Sequence, residues 1–79
     1  MDYISEVASS LIENSICDSI VSPEFYTLIA DWEKRKIPLV VVINAVEEYG
    51  KTGGDITAEG LKTVVGNKFR TWLQEAHTQ

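Results

Sequence analysis

The chain has 79 residues, a formal net charge of −5 and a hydrophobic content of 44%. That length suits a single domain (1–79) with a net stability on the order of 3–5 kcal/mol, and that hydrophobic content excludes a disordered chain. Its only cysteine, Cys17, and only histidine, His77, exclude an intrachain disulfide and a structural zinc site with its usual four Cys/His ligands, so no metal and no cofactor is expected.

The first predicted element is a helix from about Asp2 to about Ile16, with Ile4, Ala8, Leu11 and Ile12 at helical spacing, Tyr3 and Val7 beside them, and Asp2 as its cap. Residues Ile16 to Val21 are open between a loop, a further turn and a short strand. The second helix has the clearest start: Ser22 at the N-cap, Pro23 at the first helical position and Glu24 against the positive helix end. Phe25, Leu28, Ile29 and Trp32 then follow the i, i+3, i+4, i+7 template, and Lys34, Arg35 and Lys36 close the segment at its negative end.

A third helix is predicted from Pro38, with Leu39, Val42, Ile43, Val46 and Tyr49 on one stripe and Gly50 as the residue just past its end. Val40, Val41 and Ala45 make its other side apolar too. Such a helix is either central in a bundle or shared with another chain. A buried strand over Leu39 to Ile43 is the rival reading, but it would need partners and only Ile16 to Val21 is on offer. Lys51 to Gly54 reads as a loop. A fourth helix starts near Thr57, its expected cap, and carries Leu61, Val65, Phe69, Trp72, Leu73 and Ala76 at helical spacing. Gly66 inside it either weakens the helix or marks close packing. The expected fold is all-α, a compact bundle of about four short helices, with Phe25, Leu28, Ile29, Trp32, Leu39, Val42, Ile43, Val46, Leu61, Val65, Phe69 and Trp72 in its core.

No basic stretch backed by an apolar core opens the sequence, and the longest apolar run, Ile37 to Ile43, contains Pro38 and falls far short of the roughly 20 residues of a membrane span. A cytoplasmic location with no membrane partner is expected. The acidic balance argues for solubility and lowers the odds of nucleic-acid binding without excluding a local basic patch.

Catalytic constellations are absent from the pattern. Gly50-Lys51-Thr52 has the end of a phosphate-binding loop, but the glycine such a loop needs earlier falls at Ala45, and a helix end followed by a loop is the better reading. Glu47 and Glu48 are adjacent, so they point about 100° apart on a helix and cannot face each other as an acid/base pair. Cys17 has no neighbouring base, and His77 lies near the chain end. The chain is expected not to be an enzyme. The candidate partner surface is Val40, Val41 and the edge of Trp32, engaging an unidentified protein or a second copy of the chain. The candidate phosphate contacts are Lys34, Arg35 and Lys36, with Lys62, Lys68 and Arg70 on a neighbouring face.

One cadence extends over Ser22 to Leu73: Ser22-Pro23-Glu24, Leu28-Ile29, Trp32, Ile37-Pro38-Leu39, Val42-Ile43, Ala45-Val46 and Glu48, with Trp72 further on. It resembles the helical module of DnaD-like replication-initiation proteins, in which a capped helix ends in tryptophan and a later helix ends in another. It is also similar to short bacterial helical proteins with the pattern Ser-Pro, Ile, Trp seen here at Ser22, Pro23, Ile29 and Trp32. The resemblance implies a helical fold and, through the DnaD-like module, a nucleic-acid accessory role in replication. The tyrosine and isoleucine of that module's DNA-contacting pattern fall at Val64 and Lys68 here, and its basic tail is missing, so the resemblance carries the fold further than the DNA contact.

Overall fold

Two prolines and one threonine set the helix starts. The computed structural model describes residues 2–17, 20–52 and 56–77. It contains α1 (Tyr3–Glu13), α2 (Pro23–Lys34), α3 (Leu39–Lys51) and α4 (Ala58–His77), with no strand among the described residues. Pro23 takes the first position of α2, where a missing N–H costs nothing. Ser22 occupies the N-cap through its backbone alone: its carbonyl accepts from the N–H groups of Phe25 and Tyr26, and its hydroxyl makes no capping bond. Asp2 likewise caps α1 only by position, its carboxylate accepting the Ser5 hydroxyl at 3.0 Å. Thr57 is the one predicted cap whose side chain acts as one: its Oγ1 accepts the Gly60 N–H at 2.9 Å.

α1 and α2 end alike. The N–H of Ile16 returns to the Leu11 carbonyl and that of Ser15 to Ile12; the N–H of Ile37 returns to Trp32 and that of Lys36 to Glu33. This is the Schellman closure, and it places Ser15 (φ 61°) and Lys36 (φ 60°) in the left-handed region. Glycine is the usual occupant there, because a side chain adds about 1–2 kcal/mol. The reward is directional: each reversal throws an apolar residue inward, Ile37 at 4% exposure and Ile16 packed against the core.

Three expectations need correction. α1 stops at Glu13, where the Schellman turn closes it, and Ile16 lies outside it. The valine-rich run Leu39 to Ile43 is helical, as its predicted helix requires, and the rival strand falls away: one helix stripe buries Val41, Val42, Ala45, Val46 and Tyr49 together, and that burial overrides the strand preference of valine. Gly50 does not end α3, which runs on to Lys51. The glycine is there for room, since a Cβ at this position would lie 2.8 Å from the Asn14 carbonyl oxygen at the end of α1. Trp72 is not core; it is 40% exposed.

The rest of the expected core divides by depth. Phe25, Ile29, Trp32, Val42, Val46, Leu61 and Val65 are buried, while Leu28, Leu39 and Phe69 lie half-buried against them and Ile43 is intermediate. Val7 and Leu11 of α1 join the centre, together with Val21, Ile37, Val41, Ala45 and Tyr49. The inward face of α1 is rotated from the expected stripe, because the small Ser10 turns in and Ile12 turns out. Asn14 satisfies that serine, donating from Nδ2 to the Ser10 carbonyl at 2.8 Å and to its hydroxyl at 3.3 Å.

Two tyrosines tie distant segments. The Tyr3 hydroxyl donates to the Ile37 carbonyl at 2.9 Å, and burial, then the charge of Glu33, pushes its pKa up to about 12. The Tyr49 hydroxyl donates to the Thr57 carbonyl at 3.3 Å and accepts the Thr57 N–H at 3.0 Å, clamping the entry of α4 to α3. Gly60 makes room for that clamp, since any Cβ there would overlap the Tyr49 hydroxyl.

Each helix packs against two others, α1 on α2 and α3, and α4 on α3 and α2, while among the described residues neither diagonal pair brings its backbones within 8 Å. The bundle is therefore a ring in the order α1, α2, α4, α3, with four edges. No helix among the described residues is long and apolar enough to cross a membrane.

Candidate functional site

Two of the three residues nominated as a partner surface are not on the surface. Trp32 is 3% exposed and Val41 is 4% exposed, both held in the core, and only Val40 stands out, at 58%. A helix that is apolar nearly all round gives no sequence signal for its rotation, and here Val41 rather than Val40 faces the centre.

Lys34, Arg35 and Lys36 are all exposed at the end of α2. They do not act as a unit. Arg35 Nε is paired with Asp31 at 3.0 Å, and Lys36 occupies the left-handed turn position. Gly50 and Lys51 belong to α3, and the Thr52 hydroxyl donates to the Tyr49 carbonyl at 2.8 Å, so this segment cradles no anion. Glu48 reaches across to Lys68 of α4 as an ion pair, and Glu47 turns the other way, towards α1. Cys17 is half-buried after α1, and His77 is the last residue of α4. Among the described residues no three His, Cys, Asp or Glu side chains come close enough to hold a metal ion together.

The surface is organised by the four edges, each of which carries a shallow groove. The α1/α3 edge is acidic and polar, lined by Glu6, Glu13 and Glu47 with Ser9 and Asn14. The α3/α4 edge is mixed, with Lys68 and Glu75 around Val41 and Trp72. The α2/α4 edge has an apolar floor of Trp32, Ile37, Phe69 and Leu73 under Asp31, Arg35, Lys62 and Arg70. The α1/α2 edge, about 390 Å³, is lined by Ile4, Ala8, Ile12, Ile20, Val21 and Tyr26 with two serines; of the four it alone has no charged side chain in its lining among the described residues.

The α1/α2 edge is what the sequence reading missed. Three of its side chains are large, apolar and exposed: Ile20 at 81%, Tyr26 at 44% and Ile12 at 40%. Ile12 belongs to the apolar spacing of the first predicted helix but not to the expected core, and Ile20 lies in the segment open between loop, turn and strand. A usable signal existed: Ile20 is an apolar residue in a stretch that also holds Ser15, Ser19 and Ser22.

Gly66 is the second surprise. It lies inside α4, where glycine costs about 1 kcal/mol against alanine. Close packing does not explain it, because a Cβ there would meet nothing within 4 Å. Lys62 and Arg70 lie one turn before and one turn after it, and neither makes an ion pair among the described residues.

No protein-family model, no curated protein and no solved structure matches this chain.

Proposed function

We propose that the chain is a non-enzymatic interaction module that self-associates through the α1/α2 edge. The observation that carries the reading is the gathering of exposed Ile12, Ile20 and Tyr26 in one uncharged groove. Contiguous exposed apolar surface of this kind marks an interaction site. A second copy is the natural occupant, because a two-fold contact sets each residue against its own counterpart region. Two chains of net charge −5 repel, and the edge whose described lining residues carry no charge is where they meet at least cost. Sedimentation equilibrium tests this. The wild type is expected to sediment as a dimer and the Ile20→Lys variant as a monomer with an unchanged helical circular-dichroism spectrum; a wild-type monomer, or a dimer insensitive to Ile20→Lys, overturns it.

A second reading, a nucleic-acid accessory domain of replication type, draws on the DnaD-like cadence and on one observation: Arg35, Lys62 and Arg70 converge from α2 and α4 on the same edge. Binding of that kind weakens steeply with salt. Absence of binding to short DNA at low salt rules it out.

A further inference from the structure

We propose that the α2/α4 edge is a docking site for an acidic, apolar-anchored segment of a partner protein, which crosses α4 at Gly66. This rests on the interaction-module reading, but not on the α1/α2 edge. Lys62, Gly66 and Arg70 fall at i, i+4 and i+8, so they lie along one stripe of α4, with about 6 Å between successive members. Two cations without an ion pair among the described residues thus flank a gap with no side chain. Nothing inside the protein uses that gap, and a helix-interior glycine is otherwise a cost. What it does permit is close approach of another backbone to the helix. Beneath it, half-buried Phe69 and partly exposed Leu73 give an apolar side chain somewhere to sit. The complementary ligand carries carboxylates spaced to reach Lys62 and Arg70 and an apolar residue between them.

A polypeptide fits this edge better than a nucleic acid. Asp31 is part of the lining and holds Arg35 at 3.0 Å, which leaves two cations, Lys62 and Arg70, for an anion: enough for two carboxylates and few for a run of phosphates. Phe69 is half-buried and its ring lies beside Trp72, with centroids 6.2 Å apart and planes 20° apart, so it offers a base no free-standing platform. The chain's charge of −5 adds a long-range penalty for a polyanion that a short acidic peptide feels less.

Fluorescence anisotropy with a labelled synthetic peptide of Leu and Glu at helical spacing, run beside a labelled single-stranded DNA, decides the matter. The peptide is expected to bind at low salt and to lose affinity as salt rises. The pair Lys62→Glu and Arg70→Glu should weaken it about tenfold or more, Gly66→Leu should weaken it comparably, and Lys51→Glu, away from this edge, should leave it unchanged. Gly66→Ala should raise Tm, which separates the gap from any packing role. No peptide binding at low salt, or binding indifferent to Lys62 and Arg70, overturns the proposal; tighter binding of the DNA through the same residues overturns it in favour of a nucleic-acid site. Ile20→Lys is expected to leave peptide affinity unchanged, so this proposal and the self-association reading fail separately.

Discussion

The two halves of α4 are built from one pattern and meet different fates. In the first half Leu61 and Val65 are fully buried, Thr57 caps the start, Tyr49 clamps it and Gly60 leaves space for that clamp. In the second half Phe69 is only half-buried, Trp72 and Leu73 are exposed, and Gly66 faces open space. The apolar spacing is continuous through both. The difference comes from length: α4 has 20 residues, about 30 Å, while α3 has 13 and α2 has 12, about 20 Å at most. A helical stripe says which face is apolar; how far a neighbour extends to cover it is decided elsewhere in the chain.

The sharpest way to break that comparison is to truncate one anchor from each half. Leu61→Ala removes a fully buried side chain and should cost about 2–5 kcal/mol. With a total stability on the order of 3–5 kcal/mol, that variant should be largely unfolded in water. Trp72→Ala removes a larger side chain, yet from a half-open position, and should cost about 1 kcal/mol. Urea denaturation followed by far-ultraviolet circular dichroism measures both, and equal losses would mean that the two halves are equally bound into the core.

The glycines sharpen the same contrast with opposite signs. Gly60→Ala forces a Cβ onto the Tyr49 hydroxyl and should destabilise by about 1–3 kcal/mol. Tyr49→Phe alone should cost about 1 kcal/mol, for the two hydrogen bonds to Thr57. Their double variant should lose less than the sum, since the clash partner is the group removed. Strict additivity in that cycle would show that Gly60 serves something other than the clamp. Gly66→Ala, six residues further on, should instead stabilise by about 1 kcal/mol.

What was legible in the sequence was local. Pro23, Pro38, Thr57 and the apolar stripes placed all four helices, because start signals and periodicity act within a turn or two of themselves. The misses are non-local. Gly50 looks like a helix end because glycine usually is one; its actual cause is the carbonyl of Asn14, far earlier in the chain. Val41 reads as surface because a helix apolar all round hides its own rotation, whereas the burial of Trp32 follows from the single apolar stripe of α2. The convergence of Arg35 with Lys62 and Arg70, and of Ile12 with Ile20 and Tyr26, depends on which helices share an edge, and a ring of four is not written in any one of them.

The smallest effect is expected at the boundary between the halves. Lys68 lies between Val65, fully buried, and Phe69, half-buried, and pairs with Glu48 of α3. The glutamate side chain is 62% exposed, so water screens the pair and its net value is about 0.2–1 kcal/mol. Glu48→Gln should therefore lower stability by no more than that in dilute buffer. At about 1 M salt, where the Debye length is about 3 Å, the difference from wild type should vanish. The lysine side chain is only 33% exposed, so its aliphatic stem covers apolar surface whether or not the ammonium is paired. Lys68→Met should then cost less than Glu48→Gln at low salt, because it keeps the stem and leaves Glu48 free to be solvated. If Lys68→Met is the more damaging, charge rather than packing sets where the covered half of α4 ends.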